Sequence, residues 1–171
     1  GTVPDGANLG LGCGNPTALA SIQPGETVLD LGSGAGFDCF LASKRVGKDG
    51  RVIGVDMTPD MLERARRAAK AGGYDNVEFR LGEIEALPVP DNSIDAVISN
   101  CVLNLVVDDY KSTLVKEIFR DLKPGGRVAI SDIISDKVVP QRLRDDPELW
   151  SGCISGAFQE QEFLNVFVDA G

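Results

Sequence analysis

The chain has 171 residues, 43% hydrophobic and 25% charged, enough to bury one substantial core. Its 17 Lys and Arg against 26 Asp and Glu leave a net charge of −9, which repels a polyphosphate surface and argues against nucleic acid as a partner. Histidine is absent, which removes the commonest general base and metal ligand, and no uncharged run approaches the ~20 residues of a membrane span, so no membrane partner is expected.

The first predicted strand, Thr27 to Leu31, runs into "GSGAGFD" and then a helix over Phe37 to Val46. Gly32, Gly34 and Gly36 are spaced G-x-G-x-G, with Phe37 where a dinucleotide fold would continue G-x-x-G, and the G-K-[ST] of a phosphate-gripping loop is missing. Asp38 falls in the first helical turn, where its charge opposes a docked pyrophosphate. The turn therefore suits a ligand without phosphates.

A second strand, Arg51 to Asp56, leads into "MTPDM", which marks Thr58 as N-cap and Pro59 as the first residue of a helix running to Ala71. Leu62, Ala65 and Ala69 share its apolar face. Asp56 reads equally as a holder of ribose hydroxyls or as a strand-end turn residue, and the preceding glycine turn favours the ribose. Met57 fits an adenine face or plain packing.

Strands over Val77 to Leu81 and Ile94 to Asn100 follow, then a helix over Tyr110 to Leu122 with Leu114, Ile118 and Leu122 on one face. "KPGG", Lys123 to Gly126, reads as a turn into a fifth strand, Arg127 to Asp132. "TVLDL", "IDAVIS" and "RVAIS" are near-continuous apolar runs, as parallel strands covered on both faces require. Strands alternating with helices predict an α/β fold, a doubly wound and mainly parallel sheet. A charged stretch, Lys137 to Pro147, then "ELWSGCISGAF" and a helical "QEFLNVFVDAG" complete the chain. Ending on a helix implies that further C-terminal strands lie beyond Gly171, although a compact five-stranded domain satisfies the same pattern. The expected organisation is one domain over residues 1–171, with an N-terminal segment at 1–26, a cofactor-binding core at 27–132 and a substrate-side segment at 133–171.

The four cysteines, Cys13, Cys39, Cys101 and Cys153, form no C-x-x-C pair, which excludes a zinc ribbon and a thioredoxin-type motif. Reduced thiols in a cytoplasmic protein are expected.

"DLGSGAGFD", "GVDMT", "GEIEALP" and "LKPGGRVAISD" together resemble the motif series of class I S-adenosylmethionine-dependent methyltransferases, a Rossmann-like family, across Thr27 to Asp132. The resemblance implies S-adenosyl-L-methionine as cofactor. It places Asp30, Gly32 and Gly34 beside the methionine part, Asp56 at the ribose, Met57, Ile84 and Glu85 at the adenine, and Asn100 near the transferable methyl.

Within that family, "LGCGNP", "SNCVLNL" and "LWSGCISGA" resemble the arsenite methyltransferases, over nearly the whole chain. The resemblance implies that Cys13, Cys101 and Cys153 hold trivalent arsenic and act as the catalytic thiols. It further implies a small arsenical substrate, a thiol reductant, and a role in arsenic detoxification. The family has one more cysteine upstream of "LGCGNP", outside this sequence. Thiolates are soft ligands for a thiophilic centre. As(III) held by three of them keeps a lone pair that attacks a sulfonium methyl in line. No proton leaves the arsenic nucleophile, so the task is placement, which contributes roughly 7–11 kcal/mol in well-oriented systems.

Taken singly, a free cysteine is more often a small buried hydrophobe than a ligand. Cys39, beside Phe40 and Leu41 in the first helix, is read that way, although its place near a helix N-terminus would lower its thiol pKa. Two alternatives use the same motifs without the full cysteine set or without catalysis: a small-molecule C- or O-methyltransferase of the quinone-biosynthesis type, and a non-catalytic metalloid-binding module. The first needs a general base that these carboxylates do not evidently supply.

Overall fold

The computed structural model describes residues 19 and 21–171. Five parallel strands form the central sheet: β1 (Thr27–Leu31), β2 (Arg51–Asp56), β3 (Val77–Leu81), β4 (Ile94–Asn100) and β5 (Leu122–Ser131), in the order β3-β2-β1-β4-β5. Their connections are α1 (Phe37–Val46), α2 (Pro59–Gly72) and α3 (Asp108–Asp121). This is the doubly wound sheet that the alternating pattern predicts.

Alternation along the strands divides the core. Val28, Val52, Phe79, Ala96 and Ile98 face α1 and α2, where they meet Phe40, Val46, Leu62 and Ala65. Leu29, Leu31, Ile53, Val55 and Val97 face the other way, toward Leu114 and Ile118 of α3. The predicted helical faces are those buried: Leu62, Ala65 and Ala69 on α2, and Leu114 and Ile118 on α3.

Several boundaries differ from expectation, most of all where α3 gives way to β5. Helix α3 starts at Asp108 and stops at Asp121, because Leu122 is already extended (φ −69°, ψ 136°) and pairs with Ile94 as the start of β5. "KPGG" is therefore an irregularity inside β5: pairing resumes at Ala96 opposite Arg127, with Gly125 at φ 80° between. Thr58 is the N-cap of α2 and Pro59 follows it, but Thr58 makes no side-chain capping bond; its N–H instead donates to Asp56 Oδ1 at 2.8 Å.

After β5 come β6 (Ile134–Ser135), α4 (Gln141–Arg144), α5 (Pro147–Ser151), β7 (Phe158–Gln159) and α6 (Glu160–Ala170). β6 and β7 pair in a separate two-stranded sheet, and Phe163, Val166 and Phe167 of α6 pack on the core beside Phe158. Among the described residues no helix is long and apolar enough to cross a membrane.

Phe40 is fully buried, with Tyr74 at 4.6 Å and Phe79 at 5.9 Å between ring centroids. Phe40→Ala is expected to lower unfolding free energy by about 3–5 kcal/mol, read as a fall in urea midpoint at unchanged slope.

Candidate active site

In a doubly wound sheet the helices diverge where strand order reverses, and a crevice opens at the carboxyl ends of the strands there. Here that point lies between β1 and β4, which pair in register from Val28↔Ala96 to Leu31↔Ser99. Gly32 and Asn100 continue these two strands and so lie at this edge.

Gly32, Gly34 and Gly36 all have left-handed backbones. Gly32 cannot be replaced without rearrangement, since a Cβ there would lie 2.3 Å from Val102 Cγ2. The loop is tied to β2: Ser33 N–H donates to Val55 O at 3.0 Å and Gly34 N–H to Asp56 Oδ2 at 2.9 Å. Both oxygens of Asp56 thus accept backbone N–H groups, and the strand-end turn role is real whatever else the side chain holds.

Three carboxyl groups, of Asp30, Asp38 and Asp56, surround this turn. Asp30 is buried and accepts from Cys39 Sγ at 3.1 Å. Burial first, then the charges of Asp38 and Asp56, push its carboxyl well above the usual range. Asn100 Nδ2 donates to Asp38 Oδ2 at 3.3 Å, linking the end of β4 to the start of α1. Met57 is 74% exposed beyond Asp56, and Ile84 and Glu85 are half-buried in the segment after β3. All eight residues expected around a donor therefore lie at or just beyond the carboxyl ends of β1 to β4.

Cys13 lies outside the described residues. Cys101 and Cys153 come together: Cys153 Sγ–H donates to the backbone carbonyl of Cys101 at 3.2 Å across 52 positions of sequence. Both are buried, and both have left-handed backbones, φ 59° and 62°. Among the described residues only Asn92 joins them as a non-glycine with positive φ, and asparagine tolerates that region where cysteine does not. Such conformations cost about 1–3 kcal/mol each and persist at functional sites.

The expectation of reduced thiols throughout fails at Cys101, which is disulfide-bonded, whereas Cys39 and Cys153 are free. The expected lowering of the Cys39 thiol pKa also fails. Desolvation in a fully buried site, then the Asp30 charge, raise it, so Cys39 is a core thiol as its apolar neighbours imply. Burial, and next the charge of Asp132, raise the Cys153 thiol.

Residues around the two cysteines escaped the motif reading. Lys111 is buried with its Nζ 2.9 Å from Gly156 O and 2.7 Å from Asp108 Oδ1. Its signal is helical spacing, because Lys111 stands in the row of Leu114, Val115 and Ile118 that α3 buries. Asn104, fully buried, was a polar residue inside the apolar "CVLNLV". Among the described residues no group of three or more His, Cys, Asp or Glu could hold a metal ion. An open cleft of about 650 Å³ lies at the opposite edge, between Lys48, Arg51, Asp75 and Glu78, away from the cysteines and the glycine turn.

This sheet order with a glycine turn at the switch point is the architecture of a Rossmann-like methyltransferase, and the methyltransferase-domain family matches residues 22–171. The chain belongs to that family. An arsenite methyltransferase of Halobacterium salinarum is 54% identical over 170 residues, 99% of this chain and 43% of that protein. The crystal structure of an arsenic(III) S-adenosylmethionine methyltransferase from Chlamydomonas reinhardtii superposes with a TM-score of 0.83 at 41% identity, covering 94% of this chain and 55% of that one. A demethylmenaquinone methyltransferase of Symbiobacterium thermophilum is 39% identical over 111 residues, 64% of this chain and 43% of that protein. The chain thus spans about half the length of the relatives it matches.

The raised Asp30 pKa carries a pH signature. An acid whose folded value exceeds its unfolded value binds its proton more tightly when folded. Its contribution to stability is complete below the unfolded value and is lost as pH rises through the folded one. Asp30→Asn, which cannot ionise, is expected to flatten the decline in stability as pH rises above the ordinary carboxylate range, read in urea titrations.

Proposed function

We propose that this chain binds S-adenosylmethionine at the glycine turn and holds trivalent arsenic on cysteine thiolates for methylation. The observation that carries the reading is the pair of buried cysteines, both in strained backbone, meeting at the end of β4 beside that turn.

The turn's chemistry fits the donor. Asp38 and Asp56 disfavour a phosphate and favour a cationic ligand, while burial works against the charged form of Asp30. Bound there, S-adenosylmethionine supplies an electrophilic sulfonium methyl. Asp30, Gly32 and Gly34 border its methionine part, Asp56 its ribose, Met57, Ile84 and Glu85 its adenine, and Asn100 the methyl. The carboxylates attract the sulfonium charge and lose that attraction once the methyl has left, which aids exchange of product for fresh donor.

Cys101 and Cys153, with Cys13, are the arsenic ligands. Their task is to direct the arsenic lone pair at the methyl carbon, and the chain needs no imidazole because no proton leaves the arsenic. The thiol of Cys153 gives up its proton as the As–S bond forms, which offsets the cost of ionising a buried thiol. Because Cys101 is disulfide-bonded, two electrons from a small dithiol, itself becoming a disulfide, must free the thiols before arsenic binds. A reducing compartment such as the cytoplasm supplies that reductant.

A quinone-type substrate is the weaker reading. The 111-residue match to the demethylmenaquinone enzyme is too short to include both Cys13 and Cys153, whereas the 170-residue match to the arsenite enzyme spans all three cysteine positions.

Arsenite added to the reduced protein is expected to raise a sulfur-to-arsenic charge-transfer absorption in the near ultraviolet. Cys101→Ser and Cys153→Ser should each weaken arsenite affinity at least about a hundredfold, since each removes one arm of a chelate. A reduced, folded wild-type protein with no such absorption refutes the arsenic site.

A further inference from the structure

Cys153 belongs to a segment with almost no regular structure, Gly152 to Ala157, between α5 and β7. Its N–H groups fold back on α5, Cys153 donating to Trp150 O and Ile154 and Ser155 to Leu149 O, while its carbonyl groups are held from outside. The segment's own carbonyl groups show what holds it.

Asn104 Nδ2 donates to Cys153 O at 3.2 Å and to Ile133 O at 2.6 Å. Asn104 stands three residues past Cys101, in the short 3₁₀ turn Leu103–Leu105. That turn is pinned in its place, because Leu103 N–H and Asn104 N–H both donate to Asp132 Oδ2, at 2.9 and 3.3 Å. One amide side chain thus spans the two cysteine-bearing segments and the end of β5.

Lys111 takes a carbonyl three residues further along, that of Gly156. Its Nζ donates to Gly156 O at 2.9 Å and lies 3.9 Å from the centroid of the Phe158 ring, while Asp108 neutralises it. Gly156 itself rests on the Asn104 backbone so closely that a Cβ would fall 1.9 Å from Asn104 O. The segment is therefore gripped at Cys153, at Gly156 and at Phe158 by residues that all follow β4.

We infer that Asn104 and Lys111 are positioning residues, which set the Cys153 sulfur opposite Cys101 by holding the carbonyl groups of the segment that carries it. This rests on the reading of Cys101 and Cys153 as arsenic ligands. Each acts through a backbone carbonyl of the Cys153 segment and not as an arsenic ligand. Their effect is to keep the chelate assembled before arsenic arrives, so that binding does not have to order a loose segment at a cost in affinity. Asp132 serves the same end one step back, by fixing the turn on which Asn104 sits.

The test is arsenite titration of the reduced protein, read by the charge-transfer absorption, in Asn104→Ala, Lys111→Met, Cys153→Ser and Leu62→Ala. Lys111→Met keeps the aliphatic stem and removes the donors. Leu62→Ala destabilises the opposite face of the sheet, where Cys101 and Cys153 are not. Asn104→Ala and Lys111→Met are each expected to weaken arsenite about tenfold, in line with other residues that orient ligands, and to speed alkylation of Cys153 in the arsenic-free reduced protein. Leu62→Ala should titrate as wild type below its unfolding midpoint. If Asn104→Ala does not fold, Lys111→Met decides. Wild-type affinity in folded Lys111→Met, with binding lost in Cys153→Ser, overturns the positioning role and leaves the arsenic site standing. Equal weakening in Leu62→Ala also overturns it, since the effect is then general instability. Wild-type affinity in Cys153→Ser removes the arsenic reading itself.

Discussion

The pairing of β1 with β4 is the constraint on which the rest depends. Parallel registry from Val28↔Ala96 to Leu31↔Ser99 sends both strands out of the core at the same level. Beyond them, Gly32 must turn without a side chain because Val102, two residues past Asn100, fills the space its Cβ would need. The glycine loop and the cysteine turn are thus two sides of one contact. A small displacement of either strand would separate them.

Around that contact the protein collects carboxyl groups rather than imidazoles. Asp30, Asp38 and Asp56 surround the turn, and desolvation first, then the charges of Asp38 and Asp56, raise the pKa of Asp30. Asp38 and Asp56 form the part of this set that lies between α1, β2 and the turn. It is well matched to a cationic ligand whose charge is consumed in the reaction, which is the property the proposed donor has.

The cysteine side shows the opposite economy, stored strain in place of charge. Cys101 and Cys153 adopt a backbone that ordinary residues avoid, and the surrounding hydrogen bonds over-determine it: Cys101 N–H donates to Ser131 O at 2.8 Å, and the carbonyls of Cys153 and Gly156 are taken by Asn104 and Lys111. Burying a lysine for this purpose is tolerable only because Asp108, a carbonyl and an aromatic face together replace its water. Asp108 in turn pairs with Arg144 of α4, which ties the segment after β5 to the same helix.

The five strands, the helical faces and the glycine turn were legible in the sequence because their causes are local: apolar runs, helical spacing and the steric freedom of glycine act over a few residues. The three cysteine contexts were visible as well, but only as contexts. That Cys101 and Cys153 meet, that Cys101 is oxidised, and that Lys111 and Asn104 are buried to hold them depended on tertiary structure, since each requires segments tens of residues apart to dock. The two-residue strands β6 and β7 and the irregularity at "KPGG" escaped for a related reason. A pairing that short carries no periodicity, and only the neighbouring strand decides whether a turn ends a strand or interrupts it.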